Sequence, residues 1–189
     1  MWYEKFRCKR AQISSGELLV AYFIFFLVLT LVITRWSETI KGIEESEDLY
    51  NLESVSVDIA EKLVRTRGVP PGWGIENVSV IGLAEEPRVL NPEKVLIFLD
   101  MMNDSAFNNP PCNNPTISNY ECNKPMLGIR KYDFYFTLKD INGSIIEIEN
   151  KSGLTGREPP EDTEGLAVTR TAILNEEIVR VILILWYGG

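Results

Sequence analysis

Cys112 and Cys122 stand ten residues apart in a stretch crowded with Asn and Pro, a separation at which two thiols can close a small disulfide-bridged loop. Such a bridge would restrict the unfolded chain and contribute roughly 2–3 kcal/mol; two free thiols are the alternative. The third cysteine, Cys8, lies among basic residues near the N-terminus. Asn-x-Ser sequons at Asn77, Asn103, Asn142 and Asn150 are candidate glycosylation sites. Asn142 precedes Gly143 and is expected to take a positive φ in a tight turn. The acidic clusters 44–48 and 158–164 offer oxygen ligands, but neither has the spacing of a calcium loop, so both read as solvated surface. Histidine is absent altogether, which removes Ser-His-Asp catalysis and His metal ligation. No catalytic residue, metal site or cofactor is assigned, and the chain is not expected to be an enzyme; a carboxylate-dependent hydrolase has no recognisable site.

The charge is distributed in two parts. Overall the 189 residues carry 27 acids against 19 bases, a formal charge of −8, which a phosphate backbone would repel; no nucleic-acid partner is expected. The first eleven residues hold Lys5, Arg7, Lys9 and Arg10 against Glu4, a net of +3 that leaves −11 for the other 178. Directly afterwards Leu18–Thr34 runs without a charge, Pro or Gly. At 1.5 Å per residue those 17 residues rise about 26 Å, close to a hydrocarbon core when extended by Gly16 or Trp36. A segment apolar on every side, with bases on one flank and Arg35-Trp36 on the other, reads as a membrane helix contacting lipid. The basic flank belongs in the cytoplasm and the acidic bulk outside the cell.

The elements follow from periodicity. Leu52, Val55, Ile59 and Leu63 form a stripe at helical spacing, so the membrane helix is expected to continue outward to about residue 67, where Gly68 and Pro70-Pro71 stop it. Asn77–Leu83 alternates like a strand, and Asn91-Pro92 opens a short helix. Asp104–Pro125 reads as a long exposed loop. Tyr132–Lys139 and Ser144–Glu149 flank an Asn-Gly hairpin signal; Lys151–Gly165 is a second loop; Leu166–Leu174 and Ile178–Tyr187 form a second hairpin. The expected fold is α+β: a long N-terminal helix, its inner half transmembrane, packed by its outer half on a C-terminal antiparallel β-sheet of four or five strands. The expected segments are a basic leader over 1–11, a transmembrane helix over 12–36, an extracytoplasmic helix extension over 37–68, and the sheet domain with one short helix over 69–189.

The junction reads Lys9-Arg10-Ala11-Gln12-Ile13-Ser14-Ser15-Gly16-Glu17 and leads straight into the apolar run. It resembles the class III signal peptide of archaeal type IV pilin-like proteins, in which a charged and a small residue precede a cut, and Gln-x-Ser followed by Glu begins the retained helix. The resemblance implies that a prepilin peptidase cuts between Ala11 and Gln12 after Arg10. It also implies that Ser14 and Glu17 act in assembly, and that other pilin-like subunits pack around the helix in a structural or adhesive surface filament. One register differs: Glu17 is the sixth residue counted from Gln12, where the family has its glutamate fifth, a rotation of about 100° on a helix. The alternative is a monomeric, single-pass, membrane-anchored surface protein with an extracellular binding domain.

Overall fold

The computed structural model describes residues 14–107, 114–161 and 163–188. The chain divides into two units, Met1–Leu49 and Tyr50–Gly189, and the boundary falls inside one helix, α1 (Ser14–Arg65). In the first unit the described residues are all helical, and from Gly16 to Ile40 every side chain is exposed.

The second unit is the α+β part. Its main sheet has six strands in the order β1 (Ala84–Glu86), β2 (Val89–Leu90), β7 (Leu166–Leu174), β8 (Glu177–Tyr187), β3 (Tyr132–Lys139) and β6 (Leu154–Gly156). β4 (Glu147–Ile148) and β5 (Lys151–Ser152) make a separate two-stranded hairpin. All pairs are antiparallel except β2 with β7, which meet in parallel at Val89 and Ile173. Alternation in the long strands sets the layers. Val179, Val181, Leu183 and Leu185 of β8, with Phe134, Phe136 and Leu138 of β3, turn to one face and are buried. There they meet Leu52, Ile59, Ala60, Leu63 and Val64 of α1 and the buried face of α2 (Pro92–Met101). Phe98 of α2 packs 5.0 Å edge-on to Phe136 and 6.4 Å from Phe134. Burying each large side chain contributes roughly 1.5–3 kcal/mol.

α2 begins as its sequence directs, with the Asn91 Oδ1 accepting from Lys94 N at 3.1 Å and Pro92 in the first turn. The end of α1 is different. Carbonyls at and just past its end are taken by the last residue of the segment Asn77–Leu83, whose alternation suggests a strand, and by residues that follow it: Leu83 N donates to Leu63 O, Ala84 N to Thr66 O, and Arg88 N to Val64 O. The segment therefore closes a helix terminus, and pairing in a sheet starts only at Ala84; before it, Val80 makes one isolated bridge to Val69. A Cβ at Gly82 would overlap Thr66, so the close approach requires glycine there.

Two further expectations shift. After β3 the Asp140–Ser144 connection is a three-residue turn in which Gly143 takes φ of +94° and Asn142 does not enter the positive region, so the glycine carries the role expected of the asparagine. Only Ile145 and Ile146 then follow β3 before the chain leaves for β4, and β6 takes the neighbouring place in the sheet. The described part of the expected loop 104–125 holds a short helix, α3 (Asn119–Asn123), capped by the Ser118 hydroxyl, and a 3-10 turn over Lys124–Leu127. β7 and β8 are joined by Asn175 and Glu176, both at positive φ, the geometry of a two-residue type I′ turn. Both outer edges of the sheet are occupied: β1 by Thr66 O and the Arg67 guanidinium on Glu85 O, β6 by Met102 O, which accepts from Gly156 N at 3.0 Å.

Candidate functional site

The apolar stretch of α1 is the first candidate. Gly16–Ile40 has the length and composition to cross a membrane, 25 residues rising about 37 Å. Its threonines bond within the helix: Thr30 donates to Phe26 O at 2.8 Å, Thr34 to Thr30 O at 3.0 Å and Thr39 to Arg35 O at 2.9 Å, so none of the three offers an unmet hydroxyl to lipid. Arg35 pairs with Glu38 at 3.2 Å near one end, beside exposed Trp36. At the other end Glu17 is exposed in the first helical turn, where the helix dipole favours an acid.

The second unit contains a dense ionic cluster. Asp133 lies in β3 on the face away from the aromatic core and is almost fully buried. Its Oδ1 accepts from Lys124 Nζ at 2.7 Å and from the Tyr120 hydroxyl at 3.0 Å, and its Oδ2 from Arg157 Nη1 at 3.1 Å. Arg157 also reaches Asp104, through Nε at 3.1 Å, and Glu121, through Nη2 at 2.6 Å. Tyr120 in turn accepts from Phe134 N at 2.8 Å, and both cations lie over its ring. Burial alone would raise the Asp133 carboxyl, but Lys124, Tyr120 and Arg157 hold it below the usual carboxylate range. Asp104 is likewise held down, against burial, by Arg157 and Ser118. Burial pushes the Tyr120 phenol up, which keeps it a neutral donor.

These contacts tie α3 and the turn after it to β3 and to the end of β6. A cleft of about 440 Å³ opens beside them, lined by Asn103, Asp104, Tyr135, Leu154, Arg157 and Glu158. Its one guanidinium, Arg157, is turned onto carboxylates, its acid Asp104 is paired with that guanidinium, and a second acid, Glu158, also lines it. A second buried cation, Lys94, donates to Arg67 O and Pro71 O, both at 2.7 Å, and burial followed by Arg67 lowers its pKa. It fixes the connection after α1. Among the described residues no group of three or more acids or cysteines is placed to hold a metal ion.

The residues singled out in the sequence fall in separate places. Arg10, Ala11 and Gln12 lie outside the described residues, as does Cys112; Ser14 opens α1. Cys122 is in α3 and is disulfide-bonded. Asn77, Asn103, Asn142 and Asn150 are all exposed. Asn77 Oδ1 accepts from Gly74 N and Asn103 Oδ1 from Ser105 N, while Asn150 sits at positive φ in the β4–β5 turn. Sequence reading missed the Asp133 cluster. The signal for it was present: a lone acid inside the aromatic strand 132–136 must find a cation. Compared with known proteins, the chain matches no protein-family profile, no curated protein and no solved structure.

Proposed function

We propose that this chain is a pilin-like subunit of an archaeal surface filament, inserted by its apolar helix with the second unit outside the cell. The observation that carries the reading is α1 itself. One helix begins with an exposed, largely apolar stretch of 25 residues and ends with Leu52, Ile59 and Leu63 in the core of a sheet domain. Immediately before the apolar part stands Arg10-Ala11-Gln12, with Ser14 and Glu17 following. A prepilin peptidase cuts after Ala11, the retained helices of neighbouring subunits pack together, and the outer units form the exposed, adhesive surface.

The register of Glu17 favours a second reading, a monomeric membrane-anchored surface protein whose sheet domain binds a partner. Co-expression with a prepilin peptidase separates the two. Edman sequencing of protein from native membranes is expected to begin at Gln12, and charge reversal at Arg10 with a bulky residue at Ala11 is expected to block the cut. A full-length chain in every case favours the anchor.

A further inference from the structure

The four Asn-x-Ser sequons sit in unlike settings within the second unit. At Asn77 the side-chain Oδ1 accepts from Gly74 N at 2.6 Å, and the hydroxyl two residues on, that of Ser79, donates to Val69 O at 3.0 Å. At Asn142 the amide Nδ2 donates to Asp140 inside a tight turn. Asn150 stands at φ of +66° in the β4–β5 turn, and Ser152 is paired across that hairpin with Glu147. Asn103 differs from all three. Its Oδ1 accepts from the backbone N of its own serine, Ser105, at 2.8 Å, which holds the two ends of the sequon together. Neither the Asn103 Nδ2 nor the Ser105 hydroxyl has a partner among the described residues, and both side chains are exposed. Asp104 between them is turned inward, held by Arg157 at 3.1 Å and by the Ser118 hydroxyl at 2.6 Å. The middle residue anchors the tripeptide, and its outer members face solvent. A carboxylate standing bare beside the amide would repel the phosphate of a sugar donor, and the Arg157 guanidinium offsets part of that charge.

A second observation is the cleft of about 440 Å³ next to this segment. Asn103 and Ser105 belong to its lining, together with Tyr135, Leu154 and Glu158. Its size falls among clefts that hold small organic ligands. Tyr135 offers an aromatic face and, with its phenol pushed up by burial and by Glu158, a neutral hydroxyl donor. Glu158 offers acceptors, and Leu154 leaves 36% of its surface open to be covered. A sugar ring, with hydroxyls around its rim and C–H groups on its faces, suits such a lining.

We infer that Asn103 carries an N-linked glycan whose first sugar lies in this cleft against Tyr135 and Leu154. The Asn103 Nδ2 attacks C1 of a saccharide carried on a lipid-linked phosphate. The N–C1 bond forms as the C1–O bond breaks, the phosphate leaves as a lipid-linked anion, and the amide nitrogen gives up one proton. The inference deepens the surface-protein reading above and rests on it for one point, that the second unit lies outside the cell, where sequons are modified.

Glycopeptide mapping by mass spectrometry of the full chain from native membranes tests it. Saccharide mass is expected on Asn103. Ser105→Ala is expected to abolish it and Ser105→Thr to keep it, a contrast that misfolding does not produce, while Ser79→Ala and Ser144→Ala leave it unchanged. Hydroxyl-radical labelling of Tyr135 is expected to rise in the Ser105→Ala chain, where the cleft is bare. A bare Asn103, or saccharide on Asn150 in its place, overturns the inference; equal labelling of Tyr135 in both chains overturns the placement of the sugar. A membrane-impermeant amine reagent on intact cells separates this failure from that of the location. Lys131 and Lys151 labelled with Asn103 bare overturns the glycan and leaves the second unit outside; both lysines unlabelled with Asn103 bare overturns the two together. Saccharide on Asn103 in a chain that begins at Met1 supports the glycan and removes the cleaved subunit.

Discussion

Asp133 is the residue on which the second unit's polar interior turns. It is buried, charged and bonded to Lys124, Tyr120 and Arg157, so removing one partner leaves a carboxylate short of compensation. The Arg157 side chain is 36% exposed, and solvent screening therefore holds the cost of Arg157→Ala to about 2 kcal/mol, below the ~3–5 kcal/mol of a fully buried pair. Chemical unfolding of the full chain in detergent, followed by the fluorescence of buried Trp73 and Trp186, measures it. The pH dependence has a defined sign. Asp104 and Asp133 have folded pKa values below their unfolded ones, so their contribution is complete at neutral pH. It is lost as pH falls below about 4 and through the lower folded values. Arg157→Ala is expected to lose less stability than the parent over that interval. The site was only half legible beforehand: Asp133 stands out among aromatics, but its partner Arg157 is 24 residues away in a stretch that reads as loop, and no local pattern joins them. The disulfide at Cys122 is a second residue-scale matter. We expect peptide mapping before and after reduction to pair it with Cys112; both thiols alkylated without reductant would refute that pairing.

Elements with a strong period were readable, and those defined by long-range bonding were not. Tyr132–Lys139 and Leu166–Leu174 fold over the spans their alternation indicated, and the cap Asn91-Pro92 starts α2 where expected. Leu83, by contrast, bonds a helix terminus 20 residues earlier, and β6 displaces the residues after the Asn-Gly turn from the side of β3. Neither event leaves a local mark, because each is decided by which backbone group is left unpaired. The β7–β8 turn gives a prediction at this scale. Glu176 occupies the second type I′ position at φ of +67°, where glycine is preferred and other residues cost about 1–2 kcal/mol. Part of that gain is offset by the freer unfolded chain, so Glu176→Gly is expected to stabilise the second unit by about 0.5–1 kcal/mol, read as a rise in Tm.

For the whole molecule the decisive residue is Glu17, at the mouth of the apolar helix. Drawn into hydrocarbon without a cation it would cost several kcal/mol, so it stays at the headgroups or meets a charge from a neighbour, such as the new amine of Gln12 in the subunit reading. Glu17→Ala is expected to leave membrane insertion intact and to lower the yield of sheared filaments at least about tenfold. Parental yield would assign the carboxylate to the headgroup region alone.

The occupied edges of the sheet bear on how such a chain survives crowding. A sheet whose border strands still offer main-chain bonds acts as a template, and any extended peptide nearby can add to it almost regardless of sequence. Here Ala84 of β1 and Gly156 of β6 are bonded to Thr66 O and Met102 O, and the Arg67 guanidinium sits on Glu85 O, so both end strands are met by the chain itself. β2 is two residues long and covers β7 at Ile173 alone, so the border of β7 over 166–172, on the side turned from β8, is where a further extended strand has room to add. Generic main-chain growth is confined to that one step in the sheet, and side chains decide recognition elsewhere along its rim.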